Sequence, residues 1–142
     1  MDFYGFYTGK IFDAYKYLGA HVEGKKTVFR TFAPSASRIS VIGEFNQWTE
    51  SPMEKIHDGN FWEFAVDEAK PGMMYKYRIY DKSGKWIDHC DPYGYGMELR
   101  PNTASIIRKM DAYRFHDGKW MKNRSDRRKL PLNIYELHFG SF

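Results

Sequence analysis

The middle of the chain is built from short runs in which apolar and polar residues alternate. Such alternation with a period of two is typical of half-buried strands, whose side chains point to opposite faces in turn. The runs are KTVFRTFAP (26–34), RISVIGEF (38–45), NFWEFAV (60–66) and MYKYRIYD (74–81), separated by the turn-forming stretches HDGN (57–60), KPG (70–72) and KSG (82–84). Short strands with such turns between them predict an all-β fold, an antiparallel sandwich or barrel.

A helical period precedes the strands. The segment TGKIFDAYKYLG (8–19) places its apolar residues at the spacing of one helix face, namely Ile11, Phe12, Tyr15 and Leu18. Thr8 can cap the start of a helix and Gly19 can end it. The pattern therefore predicts a short N-terminal helix over residues 8–19.

The last stretch, LPLNIYELHFGSF (130–142), is an apolar run that follows a proline. A strand at this place has nothing after it to pair with, and an unpaired apolar edge invites association. The run is therefore interpreted as the opening strand of a further domain, of which the chain carries only the start.

Length and composition narrow the class of protein. The chain has 142 residues, 42% of them hydrophobic and 18% aromatic, which predicts one folded domain and excludes disorder for most of it. It has no apolar stretch of about 20 residues that could span a membrane, and its N-terminus lacks the apolar core of a secretory signal. The single cysteine, Cys90, cannot form an internal disulfide, which favours a cytoplasmic location.

Charge adds little to this picture. The net charge is +4, and much of the excess lies in KNRSDRRK (122–129). Asn, Ser and Asp interrupt that run and Pro131 follows it, so the pattern favours a solvated linker over a nucleic-acid surface.

Catalytic chemistry is not evident in the sequence. Asp88, His89, Cys90 and Asp91 are neighbours, and adjacent residues of an extended chain point to opposite faces. They therefore predict neither a metal site nor a Cys–His nucleophile pair. Serine-hydrolase, P-loop and dinucleotide motifs are missing, so no catalytic residue, no metal and no cofactor is expected.

Binding to a flat, neutral partner fits better. The turn GEFNQW (43–48) carries an amide pair followed by Trp48, which either folds into a core or is displayed as a platform. Aromatic platforms with a few amide or ammonium donors suit the apolar faces and hydroxyls of a glucan. The candidate carbohydrate-binding residues are Trp48, Trp86, Lys76 and Asn46.

The side on which Trp86 lies depends on the length of a hairpin loop. A three-residue loop at 82–84, with Gly84 in the left-handed conformation, puts Trp86 opposite Tyr80 and on the face of Lys76. A two-residue loop would instead turn Trp86 towards the core. Glycine in the third position favours the first arrangement.

Several segments resemble a known family. FAPSASRISVIGEFNQW (32–48) and KPGMMYKYRIYDKSGKW (70–86) are similar to carbohydrate-binding modules of family 48. CDPYGYGMELRPNTASII (90–107) and AYKYLGAH (14–21) resemble the subgroup found in 1,4-α-glucan (glycogen) branching enzymes. NIYELHFGSF (133–142) resembles the first strand of the catalytic (β/α)₈ barrel of those enzymes.

The resemblance implies an immunoglobulin-like β-sandwich. It divides the chain into four segments: an N-terminal extension (1–24), the module that forms the sandwich (25–112), a linker (113–132) and the start of a truncated barrel (133–142). It implies a parent enzyme of glycoside hydrolase family 13 that transfers α-1,4 glucan segments to 6-hydroxyls in glycogen biosynthesis. The catalytic acids of such enzymes belong to the barrel, and no position here matches them. The implied partners are α-glucans (glycogen, amylose and amylopectin) and the protein's own barrel, with no nucleic acid and no membrane.

The resemblance also bears on the site. Relatives that bind glycogen through this module use two tryptophans and a lysine, which match Trp48, Trp86 and Lys76. Those relatives carry an asparagine where this chain has Ser105, and a hydroxyl can make only one of the amide's contacts, so weak affinity is expected. Two other interpretations stay open: a purely structural interdomain module that binds no sugar, and an oligonucleotide-binding barrel that uses the basic run at 122–129.

Overall fold

A computed structural model describes residues 1–110, 113–124 and 130–141 of the chain. The chain divides into two compact units, residues 1–110 and residues 111–142. The strands of the first unit are β1 (Gly19–Glu23), β2 (Lys26–Phe32), β3 (Arg38–Gly43), β4 (Ser51–Pro52), β5 (Glu54–Ile56), β6 (Phe61–Val66), β7 (Met74–Tyr80), β8 (Trp86–His89) and β9 (Ser105–Ile106). The helix α1 (Phe3–Tyr7) precedes them, and α2 (Gly118–Asn123) lies in the second unit.

Two antiparallel sheets make up the first unit. The first sheet has the strand order β1-β2-β6-β5, and the second has the order β4-β3-β7-β8, with β9 also paired to β7. All the pairings between these strands are antiparallel. The predicted all-β sandwich is confirmed, and the four predicted strands correspond to β2, β3, β6 and β7.

The core follows from the alternation along these strands. The buried cluster draws side chains from both sheets, including Phe29, Trp62, Ile39, Val41, Tyr75 and Tyr77. Because successive side chains of a strand point to opposite faces, burying Tyr75 and Tyr77 turns Lys76 and Arg78 outward. This outward side of the second sheet carries the candidate site.

The N-terminal helix is not where the periodicity of 8–19 predicts it. The structure has α1 at Phe3–Tyr7, capped by Asp2, with Thr8 at its C-terminal end, and only a short 3₁₀ turn at Ala14–Lys16. The cause is tertiary packing: Phe3 and Phe6 of α1 make edge-on ring contacts with Phe61 of the first sheet. The free energy of these aromatic contacts outweighs the helix propensity of the segment that follows.

The sheet also begins earlier than expected. Residues 19–23 form β1, which pairs with β2 over five residues from Gly19 opposite Arg30 to Glu23 opposite Lys26. The predicted boundary between an extension (1–24) and the module (25–112) therefore falls in the turn between β1 and β2 and separates two paired strands. The strands β4 and β5 were not predicted, because two and three residues are too short to show an alternation.

The described residues 133–141 contain no strand, although one is expected at 133–142. Within the described part of that segment, residues 133–138 have no regular secondary structure and Phe139–Ser141 form a 3₁₀ turn. A strand needs a partner for its backbone groups, and this segment is paired with none that the structure describes. Helix α2 lies inside the predicted linker (113–132), and most of the basic run at 122–129 falls outside the described residues.

None of the helices in the described part of the chain is long and apolar enough to cross a bilayer.

Candidate functional site

The outer face of the second sheet is the surface formed by the side chains of β3, β7 and β8 that point away from the core. Cross-strand pairing defines it, with Ile42 opposite Lys76, Ser40 opposite Arg78, Arg38 opposite Tyr80, Tyr80 opposite Trp86, and Arg78 opposite Asp88. Aromatic, cationic and acidic groups therefore meet on one surface. All four predicted site residues belong to this face or to the turn at its end.

The hairpin register places Trp86 on the outer face. Asp81 and Lys85 close a three-residue loop, with the Asp81 amide donating to the Lys85 carbonyl at 2.9 Å. Gly84 has a φ of +82°, the left-handed conformation that glycine adopts without steric cost. The Asp81 carboxylate accepts hydrogen bonds from the backbone amides of Ser83 and Lys85. The predicted register is confirmed, and the indole of Trp86 is 53% exposed.

Arg78 lies against the ring of Trp86. Its guanidinium carbon is 4.0 Å from the ring centroid, a cation–π distance. Asp88 holds the same guanidinium through two hydrogen bonds, 2.8 Å from Nε and 3.0 Å from Nη2. These bonds to Asp88, the largest influence, raise the pKa of Arg78 above its ordinary value. The charge of Arg78 is thus permanent and fixed in position.

Glu50 joins the strands beneath this pair. Its carboxylate accepts hydrogen bonds from the Ser40 hydroxyl at 3.0 Å, from the Tyr80 hydroxyl, and from Nη1 of Arg78 at 3.4 Å. Arg38 adds an ion pair at 3.5 Å. The hydrogen bond from Tyr80, followed by those from Ser40 and Arg78, lowers the pKa of Glu50. The carboxylate is therefore ionised at neutral pH and ties β3 to β7.

Trp48 lies in the turn that leaves β3. A 3₁₀ turn at Glu44–Asn46 is followed by Gln47 and Trp48, both with positive φ (56° and 60°). The Trp48 amide donates to the Gly43 carbonyl at 2.8 Å, which fixes the backbone in this costly conformation. A Cβ at Gly43 would lie 2.6 Å from the Met74 carbonyl oxygen, so the turn requires glycine there. Trp48 is 41% exposed, which places it outside the core.

The side chain of Asn46 stabilises that turn through hydrogen bonds within the protein. Its Oδ1 accepts from the Gly43 amide at 2.8 Å, and its Nδ2 donates to the Val41 carbonyl at 3.0 Å and to the Ser51 hydroxyl at 2.9 Å. Both N–H donors of the amide are thereby engaged within the protein. The expected role of Asn46 as a donor to sugar hydroxyls conflicts with this geometry, and its observed role is to hold the turn of Trp48.

Lys76 lies between the two tryptophans along the sheet. The turn of Trp48 starts at Gly43, opposite Tyr75, while Trp86 is opposite Tyr80. Tyr80 is four residues after Lys76 in β7, so their Cα atoms are about 13 Å apart at the usual rise of a strand. Lys76 is half-buried. The backbone positions of Trp48, Lys76 and Trp86 thus follow one another along the direction of β7.

Ser105 does not belong to this surface. It is fully buried, and its hydroxyl accepts from the Asp91 amide at 2.8 Å. It cannot supply the sugar contact that the resemblance assigns to that position. Its neighbour Asp91 is buried as well and accepts from the hydroxyls of Tyr75 (2.7 Å) and Tyr77 (3.0 Å). Burial raises the pKa of Asp91, although those hydrogen bonds oppose the change.

The side chains of Asp88 and Asp91 point apart. Asp88 bonds to Arg78 on the outer face, whereas Asp91 is buried beneath Tyr75 and Tyr77. Within the ranges that the structure describes, no group of three His, Cys, Asp or Glu side chains could hold a metal ion.

An apolar groove adjoins Trp86 at the open edge of the sandwich. It has a volume of about 400 Å³ and lies between the loop at 33–36 and the β7–β8 hairpin, with Ile79, Trp86 and Ile87 in its wall. This volume is within the range of small-ligand sites.

Sequence reasoning missed the polar support of Trp86. From the sequence, Asp88 is considered only as a metal ligand, and neither Arg78 nor Glu50 is predicted as a site residue. The cross-strand register could have paired Arg78 with Asp88, since opposite charges favour facing positions. Nothing in the sequence signals Glu50, which enters the face from a loop.

The whole chain is similar in sequence to known proteins. The family model of carbohydrate-binding module 48 (isoamylase N-terminal domain) matches residues 17–94, more than half of the chain. The 1,4-alpha-glucan branching enzyme of Fusobacterium nucleatum is 40% identical over 145 aligned residues, covering 100% of this chain and 24% of the enzyme. That of Methylococcus capsulatus is 42% identical, covering 100% of this chain and 20% of the enzyme.

Solved structures agree on the fold. A pullulanase variant from Paenibacillus barengoltzii, complexed with maltotetraose, superposes with a TM-score of 0.60 at 27% identity, covering 84% of this chain and 20% of the pullulanase. The same enzyme complexed with maltohexaose and α-cyclodextrin gives a TM-score of 0.60 at 23% identity, covering 91% of this chain and 21% of the pullulanase.

Sandwich and exposed aromatic face together define a small all-β module of the kind that accompanies α-glucan-active enzymes. The chain belongs to the carbohydrate-binding module 48 family. It spans about a quarter of the length of the branching enzymes that it matches.

Proposed function

We propose that this chain is an α-glucan-binding module that holds glycogen or starch-like polymer on the outer face of its second sheet. Trp48 and Trp86 would stack on the apolar faces of glucosyl units, and the Lys76 ammonium would donate to hydroxyls. Asn46 would act indirectly, by holding the turn of Trp48. The observation that carries the proposal is that the backbone positions of Trp48, Lys76 and Trp86 follow one another along β7, with both tryptophans exposed.

The chemistry of this face favours a neutral partner. Arg78, Arg38, Glu50 and Asp88 neutralise one another in ion pairs of 2.8–3.5 Å, so the centre of the face offers little net charge to a phosphate backbone. A nucleic-acid groove would instead collect unpaired cations around its aromatic residues. A neutral polysaccharide needs no such excess.

The parent activity is a second part of the proposal. Relatives that match the whole chain are 1,4-alpha-glucan branching enzymes, and the chain aligns with only 20–24% of their length. We infer that the chain serves such an enzyme, in which a catalytic barrel transfers α-1,4 segments to 6-hydroxyls. The module would then bring the barrel to polymer and brace it.

A native affinity gel containing glycogen tests the binding proposal. The wild type is compared with Trp48→Ala and Trp86→Ala, and Trp120→Ala serves as the matched control. Trp120 is an indole of similar exposure (54%) that belongs to the second unit. We expect retardation of the wild type and of the control, and nearly free migration of the two site variants.

Other outcomes would favour the alternatives. If glycogen retards none of the folded proteins, a purely structural role of the module replaces the binding proposal. If binding is present but falls steeply with added salt, a charged partner replaces the glucan, because glucan stacking is nearly independent of salt.

A further inference from the structure

We propose that Arg78 is a positioning residue that sets the orientation of Trp86 and leaves one face of its indole open to a sugar. This inference rests on the proposed glucan binding and deepens it, since it assigns the support of one platform. Arg78 would act through Trp86 and would not touch the glucan itself.

The geometry limits where the guanidinium can go. The Asp88 carboxylate accepts two hydrogen bonds from the guanidinium, at 2.8 and 3.0 Å. Such a bidentate pair fixes the plane of the guanidinium as well as its position. Glu50 contacts the remaining nitrogen at 3.4 Å. With all three nitrogens engaged, the plane of Arg78 forms a rigid backing at 4.0 Å from the Trp86 ring centroid.

Trp86 needs such a backing because of its location. It lies at the first position of β8, an edge strand that pairs with β7 alone among the described strands, and it is 53% exposed. An exposed indole samples several rotamers and must be ordered when it binds, at a cost in conformational entropy. Stacking on a fixed guanidinium pre-orders the ring before the sugar arrives.

The same contact makes the platform one-sided. One ring face is covered by Arg78, so a glucosyl unit can stack only on the opposite face. The positive charge of Arg78 is balanced by Asp88 and Glu50, so it should take little electron density from the sugar-facing side. A single glucan strand is therefore the expected ligand at Trp86, in preference to two strands with the indole between them.

A double-mutant cycle tests the inference. Binding of maltoheptaose is measured by calorimetry for the wild type, Arg78→Ala, Trp86→Ala and the double variant. The matched control is Lys55→Ala, which removes another cation–indole contact, 5.0 Å from the Trp62 centroid, on the first sheet. We expect Arg78→Ala to raise the dissociation constant about two- to fivefold. In the Trp86→Ala background it should have no further effect.

A spectroscopic signature separates positioning from general damage. The ¹H–¹⁵N spectrum contains one indole signal for each of the four tryptophans, and the Trp86 signal is assigned by its loss in Trp86→Ala. In Arg78→Ala the Trp86 signal should shift or broaden, while that of the core residue Trp62 stays in place. Movement of the Trp62 signal as well would indicate misfolding, and Asp88→Asn, which weakens the bidentate pair and keeps Arg78, then takes its place in the cycle.

The outcomes distinguish the two proposals. If the wild type binds no maltoheptaose, the proposed function fails. If the wild type binds, Trp86→Ala weakens binding and Arg78→Ala does not, the function stands and the positioning role is overturned. If Arg78→Ala weakens binding equally without Trp86, Arg78 contacts the sugar directly and the inference is also overturned.

Discussion

Tyr80 and Trp86 lie directly opposite each other across the β7–β8 hairpin, on the outer face of the second sheet. This pairing exists because the loop between them has three residues closed by Asp81 and Lys85. A strand that slips by one residue turns every side chain to the other face. The length of a surface loop thus decides whether Trp86 faces solvent or the core.

Deletion of Lys85, which shifts β8 by one residue and keeps the three-residue loop, should therefore abolish the role of Trp86. Trp86 would take the position opposite Asp81 and turn towards the inner side of β8, and its fluorescence should shift to shorter wavelength as the indole leaves water. Retardation by glycogen should fall to the level of Trp86→Ala. Lys85→Ala, which keeps the spacing between the loop and Trp86, is the control and should behave like the wild type. Unchanged glycogen binding in the deletion variant would show that register is not decisive.

Asn46→Ala should destabilise the fold as well as weaken binding. Three hydrogen bonds of the side chain are lost, two of them to backbone groups of Gly43 and Val41. We expect a loss of about 2 kcal/mol in the free energy of unfolding, measured with urea. Gln47→Gly, in the same turn, should be neutral or stabilising, because φ of +56° suits glycine. A variant that loses binding at full stability would mean that Asn46 contacts the sugar itself.

Asp91→Ala should be the more damaging substitution. It leaves the hydroxyls of Tyr75 and Tyr77 buried without their acceptor, at a cost of about 3 kcal/mol or more in the free energy of unfolding. Asp91→Asn keeps one acceptor oxygen and should cost less. The neighbouring Cys90→Ala, which removes a half-buried thiol, is the control. Equal stability of Asp91→Ala and Cys90→Ala would contradict this account of the cluster.

The stabilising contribution of Glu50 should depend on pH. Its folded-state pKa lies below the ordinary value of 4.5, mainly through the hydrogen bond from Tyr80. A lowered pKa means that the contribution is complete above pH 4.5 and is lost as the pH falls through the folded-state pKa. The difference in unfolding free energy between the wild type and Glu50→Gln should therefore shrink on acidification. A difference that stays constant below pH 4.5 would show that the carboxylate charge is not involved.

The sequence by itself determined the sheet-forming segments and the faces of the central strands. The alternation in MYKYRIYD (74–81) was sufficient because a period of two has one interpretation once one side must be buried. The position of Gly84 likewise determined the loop, and through it the side of Trp86. Both signals are local, since they depend on residues within one strand or one turn.

Only the tertiary structure decided the features that join distant segments. The structure has α1 in place of the helix expected over 8–19. The ring contacts of Phe3 and Phe6 with Phe61 contribute more free energy than a helix over the later segment would. Glu50 and Arg78 are 28 residues apart and meet only in the folded sheet. Ser105 is buried, and its hydroxyl accepts a hydrogen bond from the Asp91 amide. The residues around Ser105 in the sequence do not reveal this contact. Such contacts depend on which segments the fold brings together, and no local period encodes that.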